Sequence, residues 1–142
     1  MTMFNKFYFL CVCVIGALAK IDYKTFPEST QDLMKTLHDT CLKEVGVSEE
    51  LIAKAIDGDL VEDDKLKCYS KCLMVEAGVM DEKTGDISVA IIEEILPENL
   101  RESYKENLQR CAEKSDNDDL CEKAFDMFKC NHDLNPENFI FM

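Results

Sequence analysis

From Met34 onward, apolar residues recur every three or four positions, the period of an α-helix. Met34, Leu37, Cys41 and Val45 form the first stripe; Ser29 with Asp32 resembles an N-cap pair ahead of it, and Gly46 ends it. Ser48 opens a second helix with Glu49 and Glu50 in its first turn, Leu51, Ile52, Ala55 and Ile56 on its apolar face and Gly58 as its stop. A third is expected over Asp63 to Ala77, with Cys68, Cys72, Val75 and Val79 as its stripe. Asp81 to Asp86 reads as a polar turn. Ile87, Ile91 and Ile95 then mark a short fourth helix. Pro97 suits the first position of a fifth, whose stripe is Leu100, Tyr104, Leu108 and Cys111. After the polar stretch Ser115–Asp119, a sixth helix carries Cys121, Phe125 and Phe128. No segment reads as a strand, so the fold class is all-α.

The start of the chain has a different pattern. Met1 to Lys6 is short and basic, and Phe7 to Leu18 is unbroken by any charge. That apolar run falls short of the roughly 20 residues a membrane-crossing helix needs. It ends in Ala17-Leu18-Ala19, a small-x-small signature of signal-peptide cleavage. Residues 1–19 are therefore expected to be a signal peptide. The mature domain is expected at 20–142, with a C-terminal tail at 131–142, and the product should be soluble and extracellular.

Composition narrows the class. A chain of 142 residues has the length of one domain. With 5 Gly and 3 Pro it is poor in turn-forming residues, which disfavours a loop-rich knot or a sandwich. The net charge of −13 argues against a nucleic-acid partner, because binding to phosphate is driven by Lys and Arg. Cleavage after Ala19 removes Cys11, Cys13 and Lys6, leaving six cysteines and 15 basic residues against 29 acidic ones. An even number of cysteines in a secreted chain implies disulfides. No Asn-x-Ser/Thr sequon is present.

Helical phase constrains the pairing without fixing it. Cys68 and Cys72 lie four apart on one helix face, so a bond between them would staple nothing to that helix. Cys121 and Cys130 are nine apart. At about 100° per residue they point to opposite sides and should reach different helices. Several of the fifteen or so possible connectivities remain open.

The spacing Cys41-x26-Cys68-x3-Cys72-x38-Cys111-x9-Cys121-x8-Cys130 resembles the six-cysteine signature of the insect odorant-binding proteins, the pheromone- and general-odorant-binding family. The local sequence Lys67-Cys68-Tyr69-Ser70-Lys71-Cys72 also resembles that family. The resemblance implies the interlocked bridges Cys41–Cys72, Cys68–Cys121 and Cys111–Cys130. It also implies a compact six-helix domain around an apolar cavity, with no enzyme activity and no cofactor. Such a protein would reversibly bind small volatile or lipidic molecules and carry them through sensillar lymph. Its further partner would be an olfactory receptor, and its state a monomer or weak homodimer. A saposin-like lipid-interacting protein is the alternative, but its cysteines pair near the chain ends.

Other chemistry is weakly signalled. Cys130-Asn131-His132-Asp133 has a His-Asp pair but lacks the doubled cysteine and calcium loop of a secreted phospholipase. Asp116-Asn117-Asp118-Asp119 lacks the Gly and closing Glu of a calcium loop. His38 and His132 suggest no zinc site. The candidate ligand-binding residues are Met34, Leu37, Val75, Val79, Met80, Ile91, Ile95, Tyr104, Leu108, Phe125, Phe128, Phe139 and Phe141. Met74 and Met127 fit core packing and cavity lining alike; methionine adapts its shape to varied apolar ligands, and Tyr104 is the candidate polar contact. Asn135-Pro136 should break the sixth helix and redirect the apolar end Phe139-Ile140-Phe141-Met142. Phe139 and Phe141 are expected at the cavity mouth, near Phe125 and Phe128.

Overall fold

Each helix begins and ends where its local chemistry satisfies exposed backbone groups. The computed structural model describes residues 20–142, and the expected signal peptide lies outside them. Helix α1 (Glu28–Val45) starts after Pro27, and α5 (Glu98–Lys114) after Pro97, neither with a side-chain cap. A proline there costs nothing, because the first turn of a helix leaves its N–H groups unpaired anyway. Ser29 and Asp32 thus lie inside α1 rather than capping it, and Pro97 sits one position earlier than expected. Side chains do cap the other long helices. Ser48 accepts from the Glu50 N–H at the start of α2 (Glu49–Ile56), and Asp63 from the Leu66 N–H at the start of α3 (Asp64–Glu76). Asp119 accepts from the Cys121 and Glu122 N–H groups at the start of α6 (Leu120–Leu134). Gly46 closes α1 in the left-handed region, with φ of 69° and its N–H on the Leu42 carbonyl.

The fourth helix is shorter than its isoleucine spacing implied. Only Ile92–Ile95 is helical, as α4. Ile87 instead forms an isolated antiparallel bridge with Met80. The Ser88 N–H donates to the Val79 carbonyl and the Asp81 N–H to the Asp86 carbonyl. The polar turn at residues 81–86 therefore folds back as a hairpin and draws Ile87 out of helical geometry. Among the described residues no longer strand pairing forms, and the class is all-α.

Helix α3 is the centre of the assembly and packs chiefly on α6 and on α1. Leu66, Tyr69, Ser70 and Leu73 are its deepest positions, while Cys68 and Val75 lie on a half-buried flank. Ser70 is tolerated there because its hydroxyl donates to the Leu66 carbonyl one turn earlier.

Three sulfur pairs lie at bonding distance: Cys41–Cys72, Cys68–Cys121 and Cys111–Cys130. They tie α1 to α3, α3 to α6 and α5 to α6. The opposed faces of α6 do send Cys121 and Cys130 to different helices.

Helix α6 runs to Leu134, so the tail proper begins at Asn135, four residues later than the expected start. A single 3-10 turn at Pro136–Asn138 follows, and the chain leaves it extended at Phe139. Phe139, Ile140 and Phe141 are all buried.

Candidate binding cavity

The apolar interior divides into two clusters. One, around Leu66, Tyr69, Phe125 and Phe141, is filled by large side chains. The other, around Met74, Leu96, Leu108 and Met127, supplies most of the wall of a cavity of about 90 Å³, which Leu37 and Leu73 of the first cluster complete. Helix α1 contributes Met34 and Leu37, α3 contributes Leu73 and Met74, α4 contributes Ile92 and Ile95, and α6 contributes Met127 and Phe128. Tyr104 and Leu108 enter from α5, and Ile140 and Met142 from the tail.

Of the candidates named from sequence, Met34, Leu37, Val79, Ile95, Tyr104, Leu108 and Phe128 line this cavity. The others do not. Met80 is buried in the surrounding cluster, and Val75 and Ile91 pack on it from outside. Phe125 belongs to the filled cluster, where Lys67 and Lys129 lie over its ring at 5.7 and 5.3 Å.

Phe139 and Phe141 are the clearest correction. They do gather at Phe128, with ring centroids 6.3 and 4.8 Å away, but they face the filled cluster. In an extended chain successive side chains point to opposite sides. The intervening Ile140 and the following Met142 are therefore the tail residues at the cavity. Met74 and Met127, which fitted core and cavity alike in the sequence, also line it, and sequence reasoning missed Phe26, Thr30, Leu33, Leu73, Ala77, Ile92, Leu96 and Asn131, which complete the lining. Asn131 alone carried a legible signal. It lies four residues after Met127, a polar residue on an inward-facing stripe.

The tail is held by two tyrosines. Tyr23 donates to the Phe141 carbonyl at 3.2 Å and accepts from the Phe141 N–H at 3.4 Å. Tyr69 donates to the main-chain oxygen of Met142. Burial pushes the pKa of both hydroxyls up, so they remain protonated donors over the ordinary pH range. Burial does the same to Tyr104, whose hydroxyl faces the Asn131 side chain and the Ile140 backbone.

A second charged arrangement lies outside the cavity. Lys67 contacts Glu62 and Glu122 at 2.8 Å each, and Lys129 contacts Glu62 at 2.8 Å. These two lysines hold the Glu62 carboxyl well below the usual carboxylate range, at a pKa of about 2. Among the described residues no group of His, Cys, Asp and Glu has the arrangement of a metal site.

Six helices, three overlapping bridges and a cavity walled by apolar side chains define the odorant-binding-protein fold. Residues 24–133 match the PBP/GOBP family, and this chain belongs to it. It is 27% identical over 120 residues to General odorant-binding protein 99a of Drosophila melanogaster, covering 82% of each chain. It is 30% identical over 105 residues to the B1 protein of Tenebrio molitor, covering 72% of this chain and 78% of that one. Odorant Binding Protein 7 from Anopheles gambiae, solved in complex with an azo compound, superposes with a TM-score of 0.67 at 31% identity. That superposition covers 78% of this chain and 89% of the mosquito protein. An Apis mellifera odorant-binding protein shares the fold with a TM-score of 0.71 over 87% of this chain and 99% of that one, at 21% identity. This family and fold are non-enzymatic carriers. No helix among the described residues is long and apolar enough to cross a membrane.

Proposed function

We propose that this protein is a secreted carrier that reversibly holds a small hydrophobic molecule in the cavity between α1, α3, α4, α5, α6 and the tail. The observation that carries the reading is the lining, which is almost wholly apolar within an odorant-binding-protein fold. Such a surface favours apolar guests because binding removes them from water. The cavity of about 90 Å³ is smaller than one that admits benzene, at roughly 150 Å³. Larger guests therefore require the walls to yield. Met34, Met74, Met127 and Met142 suit that task, since an unbranched thioether side chain changes shape at little cost. The tail is a second yielding wall, so uptake and release couple to its movement. Transport through an aqueous lymph follows from secretion and from the shielding of the guest.

The test is displacement of a fluorescent apolar probe by a panel of small volatiles, with mass spectrometry of any molecule that copurifies from native tissue. Saturable, reversible displacement is expected. A protein that neither takes up the probe nor copurifies with any small molecule would not be a carrier.

A further inference from the structure

Beside the cavity lies an open groove of about 350 Å³, bounded by α1, the 3-10 turn Tyr23–Thr25, the end of α2 and the tail. Met34 and Met142 line the groove and the cavity alike. These two half-buried, flexible side chains are therefore the partition between the two spaces. The groove is mostly apolar, and it holds Ile56, the large apolar side chain left exposed among the described residues, at 38%. Its charged groups are all of one sign. In a chain of net charge −13, the groove is lined by Lys24, Lys35 and His38 and by no acidic side chain. Gln31, Lys35 and His38 recur at helical spacing along one face of α1, and the Gln31 amide donates to the Lys24 carbonyl at 3.3 Å, which sets Lys24 beside that face. Two of the three basic groups have acidic neighbours: Lys35 pairs with Asp39, and His38 Nε2 lies 3.8 Å from Glu49. Lys24 is exposed and enters no ion pair among the described residues.

We propose that the groove is the outer half of the binding site and takes the carboxylate of a linear fatty acid on Lys24, while the alkyl chain passes between Met34 and Met142 into the cavity. The inference rests on the carrier reading and names the class of its guest. An ionised carboxylate inside the apolar cavity would lose its water without gaining a partner, so the head of such a guest stays outside. In the groove it keeps part of its hydration and gains a lysine ammonium as donor. The first part of the chain lies on Ile56 and Met34, and the rest is withdrawn from water in the cavity. An ester of the same chain fills the same spaces but brings no charge to Lys24.

The experiment compares dodecanoate with methyl dodecanoate, both below micelle-forming concentrations, by displacement of a fluorescent apolar probe from the intact protein. The wild type should bind the acid about tenfold more tightly than the ester, the scale of one charge-assisted hydrogen bond, and added salt should shrink the preference. Lys24→Gln should bring acid and ester to near parity while leaving ester affinity unchanged. In the complex with dodecanoate the methyl resonances of Met34 and Met142 should both shift. Parity of acid and ester in the wild type would overturn the proposal, as would a preference that survives Lys24→Gln, or unmoved Met34 and Met142 methyls in a saturated complex. A dimer in sedimentation that Ile56→Gln dissolves would assign the groove to a second copy of the chain and overturn it likewise. Failure of the probe and of both compounds to bind would overturn the carrier reading, and the groove assignment with it.

Discussion

The hydroxyl of Tyr69, on the central helix α3, donates to the main-chain oxygen of Met142, 73 residues later in the chain. The same hydroxyl lies 3.0 Å from His38 Nδ1 on α1. One side chain thereby joins α1, α3 and the tail, and it does so beside a cavity that Met142 helps to wall. The tail is held by these polar latches as well as by the burial of its phenylalanines.

Removing the latch should loosen the tail without emptying the core. Tyr69→Phe keeps the ring, and Met142 is only half-buried, so water can replace part of the lost bond. The expected loss is about 0.5–1.5 kcal/mol in denaturant unfolding. Amide hydrogen exchange at Phe141 should accelerate more than exchange within α3. Unchanged protection of residues 139–142 would remove Tyr69 from the role of latch.

Burial holds the tail more strongly. Phe141 is fully buried, and Phe141→Ala should cost about 3–5 kcal/mol. Deleting residues 138–142 should raise the off-rate of a bound apolar probe, because Ile140 and Met142 leave the cavity wall. Stopped-flow displacement reads this directly. An off-rate equal to that of the intact protein would show that the tail stabilises the domain without gating it.

The Glu62 ion pairs should act at neutral pH and be lost only in acid. The carboxyl of Glu62 has a pKa of about 2 in the folded protein, lowered by Lys129 and Lys67. A depressed folded pKa means that the stabilisation is complete above the ordinary glutamate range and is lost as pH falls through that range toward about 2. The melting temperatures of wild type and Glu62→Gln should therefore differ at neutral pH and converge in strong acid. Because the site is exposed, the neutral-pH difference should be small. A difference that grows on acidification would contradict the assignment.

Processing is testable on secreted material. The Ala17-Leu18-Ala19 ending predicts Lys20 as the first residue by N-terminal sequencing. Recovery of Phe7–Leu18 in the secreted chain would refute cleavage at this point.

Helical periodicity carried most of the fold because it recurs along the chain, and the cysteine spacing carried the bridges through the family it resembles. They failed where a local pattern had two readings. Ile87, Ile91 and Ile95 have helical spacing, yet backbone pairing of Ile87 with Met80 prevailed. In α3 the cysteines drew attention to a flank, while Tyr69 and Ser70, polar by type, occupy the interior because each hydroxyl finds a carbonyl. At the tail the segment was legible but its parity was not. Which of Phe139 and Ile140 faces the cavity depends on how the chain leaves Asn135 and the 3-10 turn, and no sequence periodicity records that. The cavity is lined by members of both apolar clusters, which have the same kinds of residue, so composition could not mark the lining.

The overlap of the three bridges has a bearing on survival among peptidases. Cys41–Cys72 and Cys68–Cys121 share residues 68–72, and Cys68–Cys121 and Cys111–Cys130 share residues 111–121. Every peptide bond between Cys41 and Cys130 is thus enclosed by at least one crosslink. A single nick there leaves one covalent molecule, with its helices still tethered and able to close up again. The segment after Cys130 has no such insurance, and its exposed Pro136 and Glu137 are the accessible point of attack. A first cut at that point would leave the stapled body whole and carry off Ile140 and Met142, so ageing in a protease-rich fluid would produce a leaky container before it produced fragments.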